Sequence, residues 1–248
     1  MKCKLTNKEI SPFMSFGKMP LANGFLGKED FNSEYFFEME VGFSEDLSLF
    51  QLNSHPKPEK MFSNNYPFFT GSSELMKIHF QKYAEWLKSK FLNSNSKLLE
   101  IGSNDGTFLK NFSDTSIEYI GFEPSKNVAK MAEQNNIKTI NSFFNSENVH
   151  ELKTFINNTD VICASNVICH VPDLKNLILA VDKLLSKKGL FIFEEPYMGS
   201  MFNKVSYDQI YDEHIFMFSV NSVQKIFKIF NFDLVDVLPQ STHGGSMR

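Results

Sequence analysis

The sequence is poor in cysteine and tryptophan, has no long apolar run and carries no strong excess of either charge. Three cysteines, at positions 3, 163 and 169, are too few for a disulfide framework. Cys163 and Cys169 flank an apolar strand end and read as buried, reduced thiols. The longest apolar runs, such as 190–193, fall far short of a membrane span, and the opening MKCKLTNKEI is too polar for a signal peptide. The expectation is a soluble, cytoplasmic protein without a membrane partner. A net charge of −4 gives no pull toward nucleic acid. Internal repeats and low-complexity tracts are also missing. What is present is core material: 27 phenylalanines, and 42% apolar residues in a chain of 248. That suffices for one large α/β domain with a small appendage.

Residues 1–60 contain Pro12, Pro20, Pro56 and Pro58 and only short extended runs, at 36–41 and 48–52, in a first domain bounded at 1–70. They predict a small β-rich module, with 71–248 forming the main domain. Residues 72–92 predict an amphipathic helix whose apolar stripe is Leu75, Ile78, Tyr83, Trp86, Leu87 and Phe91. Strand and helix then alternate. Strands are expected at 98–101, 118–122, 137–140, 161–164, 190–194 and 234–238. Helices are expected at 106–112, 125–135 (N-capped by Ser125), 147–156, 173–185 (ended by Lys187, Lys188 and Gly189) and 220–230. This alternation predicts an open parallel sheet with helices on both faces, and a ligand at the carboxyl ends of its strands.

The first strand runs straight into Glu100-Ile-Gly-Ser-Asn-Asp-Gly106. Gly102 and Gly106 permit a tight turn and close backbone approach to a ligand. Their G-x-x-x-G spacing departs from the G-x-G-x-x-G of dinucleotide sites and disfavours NAD. The second strand ends in Glu123-Pro124, where a carboxylate accepts hydrogen bonds from the two hydroxyls of an adenosine ribose. Turn and acid together point to S-adenosyl-L-methionine.

Tyr211-Asp-Glu-His214 brings a phenol, acids and an imidazole within four residues. That set offers a base, an acid and a phenol for acid–base chemistry. His170, after the fourth strand, is a candidate to assist; His55, His79 and His150 read as surface or capping residues.

The segments EIGSNDGTFL, GFEPSKNVA, ASNVICHVPDL, FEEPY, DQIYDEHIFMFS and HGGSMR occur in the order and spacing of one family. From about Gly17 to Arg248 the chain resembles the bacterial sugar C-methyltransferases that act on nucleotide-linked 4-keto-6-deoxyhexoses. The resemblance implies a Rossmann-like class I S-adenosylmethionine-dependent methyltransferase sheet with a small β-rich N-terminal module, working in deoxysugar biosynthesis on a nucleotide-sugar. It implies that Glu100, Gly102, Ser103, Asn104, Asp105 and Gly106 wrap the methionine and ribose parts of the cofactor. Glu123 and Pro124 would hold ribose and adenine, Phe143 would border the adenine, and Asn166 would lie beside the sulfonium. It makes His214 the general base, oriented or polarised by Glu213, with Tyr211 bonding substrate or enolate. His243 would reach the same mouth, and Tyr66 would face the substrate.

Two departures stand out. The family's N-terminal module carries two Cys-x-x-Cys zinc pairs; here these positions read Cys3, Thr6, Ser44 and Leu47, a set that cannot hold a tetrahedral zinc, so no metal is expected. A neighbouring change puts Phe68 where the family has tyrosine. Relatives also continue past HGGS-x-R into a C-terminal domain that grips the nucleotide-sugar. The expectation is a truncated chain, split gene or fragment, without the antiparallel strand that lies between strands five and six. Two alternatives to the sugar C-methyltransferase stay open: a cofactor-binding fragment or inactive remnant that needs a partner chain to supply the missing domain, and an N- or O-methyltransferase acting on a small metabolite.

Overall fold

Alternation of exposed and buried side chains builds the N-terminal sheet. In the computed structural model, which describes residues 1–62 and 66–248, β1 (Ser11–Pro20) pairs antiparallel with β2 (Phe36–Ser44). β2 pairs in turn with β3 (Leu49–Leu52). Phe37, Met39 and Val41 of β2 share one face and pack with Leu52, as a period of two requires. The sequence reading missed β1 because Pro12 and Pro20 argue against a strand; as the edge strand of its sheet, with two register shifts, it tolerates them. The carboxamide of buried Gln51 accepts from the Lys4 amide (2.9 Å) and donates to the Lys2 carbonyl (3.0 Å), tying the Cys3 turn to β3. A short helix, α1 (Pro58–Met61), follows.

The chain falls into two units: Met1–Met61, Asn166–Lys175 and Glu194–Arg248 form the first, and Phe62–Ser165 with Asn176–Phe193 the second. The second begins with α2 (Glu74–Lys90), whose N-cap Ser73 accepts from the Met76 amide. Its buried stripe is Phe80, Tyr83, Ala84 and Leu87. Leu75, Ile78 and Phe91, expected on that stripe, are exposed, and Trp86 is only partly buried. The sequence supports two neighbouring stripes; the core uses the one on which the Tyr83 hydroxyl reaches the Ile192 carbonyl (3.4 Å) and Cys163 sulfur (3.6 Å).

β4 (Lys97–Ile101), β5 (Glu118–Phe122), α3 (Lys126–Gln134), β6 (Thr139–Ile140) and β7 (Thr159–Ser165) follow. α4 (Leu174–Leu184) then leads directly into β8 (Leu185–Pro196). β4 pairs in parallel with β5 and β7, and β5 with β6, giving the order β8-β7-β4-β5-β6. The chain reverses its direction of winding between β4 and β7, which is where open α/β sheets hold ligands. The almost continuous burial of β4 is that of a parallel strand covered on both faces.

Several expected elements differ. The helix expected at 106–112 is a 3-10 turn, Leu109–Phe112, because the Ser113 and Thr115 hydroxyls take the carbonyls of Lys110 and Phe112 that a longer helix needs. The helix expected at 147–156 shrinks to the 3-10 turn Asn148–Glu151; its buried residues Val149, Leu152 and Phe155 recur every three positions, the 3-10 period. Ser125 precedes α3, but its side chain makes no cap bond. Lys187, Lys188 and Gly189 do not end a helix; they lie inside β8.

The first unit resumes with α5 (Met198–Lys204), β9 (Phe216–Met217) and α6 (Val220–Ile229), whose Ser219 and Ser222 form a capping box. β9 pairs antiparallel with β3. No strand forms at 234–238, where Leu234 and Val235 are exposed. β10 (Pro239–Gln240) and β11 (Ser246–Met247) come instead. The strand expected to be lost is therefore present: β11 lies antiparallel between β10 and the last residues of β8. Among the described residues no disulfide joins the three cysteines, all buried, and no helix is long and apolar enough to cross a membrane.

The stripe on α2 gives a direct test. Leu87→Ala, at 0% exposure, should cost about 2–5 kcal/mol, whereas Leu75→Ala, at 80%, should stay within about 0.5 kcal/mol of wild type in chemical denaturation.

Candidate active site

The first constellation lies in the second unit, at the carboxyl ends of β4 and β5. Gly102 (φ 69°), Asn104 (φ 48°) and Gly106 (φ 79°) take left-handed backbone conformations, so the chain turns back on itself within five residues. The Ser103 amide donates to the Phe122 carbonyl (2.9 Å), laying the turn against β5. Glu123 accepts from the Ser125 amide through Oε1 (2.7 Å) and from the Asn104 amide through Oε2 (3.1 Å). Asp105 accepts from the Gly71 amide (2.8 Å) and from the Thr107 hydroxyl (2.6 Å), and Asn104 from the Thr70 amide (2.9 Å), pinning the segment after Tyr66 onto the turn. The Asn141 side chain donates to the carbonyls of Glu123 and Pro124, and half-buried Phe143 follows it.

This turn holds an excess of buried acceptors. Burial, then the charges of Asp105 and Glu123, pushes the Glu100 carboxyl well above its ordinary value, and burial likewise raises Glu123. Among the described residues Glu100 Oε2 and Ser103 Oγ are buried without a hydrogen-bond partner. A ligand carrying a cation and a ribose diol supplies the positive charge and the donors that such a set lacks. The residues therefore fit S-adenosylmethionine. Asn166, by contrast, belongs to the first unit. It is left-handed (φ 55°), gives its amide to the Glu194 carbonyl (2.7 Å) and keeps a buried Oδ1 without a partner among the described residues.

The second constellation lies in the first unit. His214 is 8% exposed and ends the turn just before β9. Its Nδ1 lies 2.8 Å from the Gln209 carbonyl, which can only accept, so Nδ1 carries the hydrogen and Nε2 of the neutral ring carries the lone pair. Burial first, then His170, holds its pKa down to about 3. The ring of Tyr211 lies 4.4 Å from that of His214, and the ring of His170 lies 5.2 Å away. His170 Nδ1 bonds the Glu213 carbonyl (2.7 Å), and a further backbone bond runs to Asn166. Burial holds its pKa down to about 4. Glu213 turns its carboxyl away from His214, to the Asn23 side chain (2.6 Å); burial raises that carboxyl to about 7. His214 and exposed His243 (φ 49°) line one cleft, together with Cys169, Tyr197, Met201 and Gln209.

Cys169, Gln209, Asn23 and Glu195 escaped the sequence reading. Glu195 is fully buried and accepts the amides of Val167, Ile168 and Cys169. Burial of the adjacent acids in FEEPY was the available signal, since two neighbouring carboxylates at a strand end need partners.

The zinc positions of the N-terminal module do not fit a metal. Cys3 and Ser44 are buried, Thr6 and Leu47 complete the set, and a single thiolate with two hydroxyls and an alkyl group is no tetrahedral donor set. Among the described residues Cys169, His170 and His214 are the group whose donor atoms lie within 4.8 Å of one another. Burial keeps that thiol protonated, far above its usual range, which makes it a poor ligand.

Two measurements check these sites. Glu123→Ala should weaken S-adenosylhomocysteine binding by about 1–3 kcal/mol in calorimetry, the cost of lost hydrogen bonds to a charged acceptor. In NMR titrations the ring signals of His170 and His214 should stay those of neutral imidazole from pH 8 to pH 5. The unfolded chain takes these protons near pH ~6.5, so it binds more protons than the folded one below that value. The pair's share of stability is therefore present above pH ~6.5 and lost as the pH falls toward about 4.

A family model described as "Methyltransferase domain" matches residues 76–237, and one described as "Putative zinc binding domain" matches residues 3–62. The C-methyltransferase NovU of Streptomyces niveus is 28% identical over 94% of this chain and 56% of its own length, so the chain spans little more than half of that relative. An S-adenosylmethionine-dependent methyltransferase from Archaeoglobus fulgidus superposes with a TM-score of 0.53 at 20% identity, over 73% of this chain and 74% of its own. The magnesium protoporphyrin IX methyltransferase of Synechocystis, solved with bound S-adenosylhomocysteine, gives 0.51 at 13% identity, over 69% and 80%. The chain has the parallel sheet and the glycine turn, belongs to the methyltransferase-domain family and takes S-adenosylmethionine as cofactor.

Proposed function

We propose that this methyltransferase directs the methyl group to carbon, on a nucleotide-linked 4-keto-6-deoxyhexose, with His214 as the base that forms the enolate. The observation that carries this reading is the fixed tautomer of His214: Nδ1 donates to Gln209, which leaves the Nε2 lone pair as acceptor in a buried cleft. Transfer to oxygen or nitrogen starts from a heteroatom lone pair and has no need of such a base. Transfer to carbon does.

His214 Nε2 takes the proton from the carbon beside the ketone; the C–H bond breaks, and its electron pair moves into the enolate. Tyr211, in ring contact with His214, donates its hydroxyl hydrogen to the enolate oxygen. Glu123, Glu100 and Ser103 hold the cofactor, which when bound supplies an electrophilic methyl group on a sulfonium. The low basicity of His214 is the cost of burial, and it has a use. The ring stays neutral, and so able to accept, throughout the physiological range. Tyr66 and His243 are the substrate-facing residues of this reading. The similarity to NovU supports carbon as the acceptor.

The test is exchange of the substrate's α-hydrogen in deuterated water, followed by mass spectrometry. Wild type should exchange, and His214→Asn should lose exchange and methylation together by about 10²-fold or more, with S-adenosylhomocysteine affinity unchanged. Retained exchange in His214→Asn would remove it as the base. Methylation of a hydroxyl or amine with no α-exchange would overturn the carbon-directed reading.

A further inference from the structure

We propose that Glu195 is a positioning residue: its carboxylate, from the end of β8, caps the turn that carries His170 and thereby fixes the imidazole that His214 faces. The inference rests on the reading of His214 as base.

Glu194 and Glu195 are adjacent on β8, each at most 1% exposed. Strand alternation sends them opposite ways. Glu194 meets Arg248, whose Nε donates to its Oε1 (2.6 Å). Glu195 turns to the 3-10 turn Ile168–His170. The first amides of any helical turn lack intrahelical partners, and a side chain just ahead of it normally supplies one. Here that position is Val167, which has no acceptor and makes no cap bond. Glu195 supplies the missing acceptor from a distant strand: Oε1 takes the amides of Val167 (3.0 Å) and Ile168 (2.7 Å), and Oε2 that of Cys169 (3.3 Å). Three consecutive amides thus converge on one buried carboxyl, bonds that are charge-assisted when it is ionised.

A serine or aspartate at position 167 would cap the turn locally. The long-range cap does more, because it fixes the turn to β8. The next residue along is His170, whose Nδ1 must meet the Glu213 carbonyl at 2.7 Å for its ring to stand 5.2 Å from that of His214. A shift of this turn moves the imidazole nearest the base, and misplacement of about 1 Å near a reacting group is costly.

Glu195→Gln separates this role from packing. The carboxamide keeps the shape but has one acceptor oxygen, and it sets its NH₂ against an amide donor. In the substrate-free protein, ¹⁵N–¹H NMR of the imidazoles should show His170 leaving its wild-type signal. In the exchange assay kcat should fall about tenfold or more with KM little changed. Glu195→Asp, which retains the anion, should recover part of both, and so should Val167→Ser placed in the Glu195→Gln background, which restores a local cap. Val167→Ser/Glu195→Gln also serves if Glu195→Gln alone fails to fold. Wild-type His170 signals and kcat in Glu195→Gln would overturn the proposal. So would a fall in thermal stability that neither rescue relieves while His170 keeps its signal. If the wild-type chain exchanges no α-hydrogen, the carbon-directed reading fails, while the NMR measurement still decides the role of Glu195.

Discussion

Buried carboxylates held by backbone amides are the constraint on which both sites depend. Burying an ionised carboxyl without partners is prohibitive. Glu123 meets this cost with the amides of Ser125 and Asn104, and Glu195 with those of Val167, Ile168 and Cys169. In each case the amides come from the turn that follows a parallel strand. The acid therefore does two things. It receives donors that the turn would otherwise leave bare, and it fixes the shape of the turn. Donors only offset the penalty: burial still raises Glu123, and it raises Glu195 to about 7. The two turns differ in what remains unsatisfied. Among the described residues Glu100 Oε2 and Ser103 Oγ are left over at the glycine turn, which suits a ligand; at the Val167 turn both Glu195 oxygens accept from amides, which marks a support, and the oxygen left over is Oδ1 of the preceding Asn166.

The imidazoles follow the same rule with the opposite charge. His170 and His214 are buried among backbone carbonyls, and burial outweighs those acceptors, so both rings stay neutral. Carbonyls and rings then settle which nitrogen bears hydrogen. The two rings differ in this respect. His214 has one carbonyl partner and a defined lone pair, while His170 bonds the backbone of both Glu213 and Asn166. Of the pair, His214 is the one equipped to accept a proton.

What could be read from the sequence was what is local in it. β4, the turn at 102–106, β5 and Glu123 lie within one stretch, and their burial and spacing appear directly in the residues. The methyltransferase fold was legible for the same reason. The supports were not. Asn23 and Glu213 are 190 residues apart, and Glu195 reaches back across a whole helix to Val167. No periodicity encodes such pairs. Among the misjudged elements, one helix was stopped by the hydroxyls of Ser113 and Thr115, and the strand expected at 234–238 begins only at its end, where Leu238 exchanges two backbone bonds with Arg248 and Pro239 and Gln240 pair with β11. On α2 the expected stripe shares Tyr83 and Leu87 with the buried one, while Phe80 and Ala84 take the places expected of Leu75, Ile78 and Phe91.

The N-terminal module shows why the YDEH segment has so definite a geometry. β9 joins the module's sheet with Phe216 opposite Gln51 and Met217 opposite Phe50, and the Leu52 amide bonds the Ile215 carbonyl (2.8 Å). The residue after His214 is thus held by β3. From the other side, the Ala22 amide bonds Asp212 and the Asn23 side chain bonds Glu213. Three of the four residues 212–215, Asp212, Glu213 and Ile215, are therefore gripped by the module, and His214 between them turns its ring to the cleft. The module needs rigidity for this, and several of its own contacts supply it. Asn7 (φ 58°) and Ser48 (φ 52°) make tight left-handed turns in the module. Buried Leu47 and Leu49 provide an apolar filling, and the Gln51 carboxamide clamps the first turn. Because Gln51 also pairs with Phe216, the residue that clamps the Cys3 turn is the one that sets the register of the strand after His214.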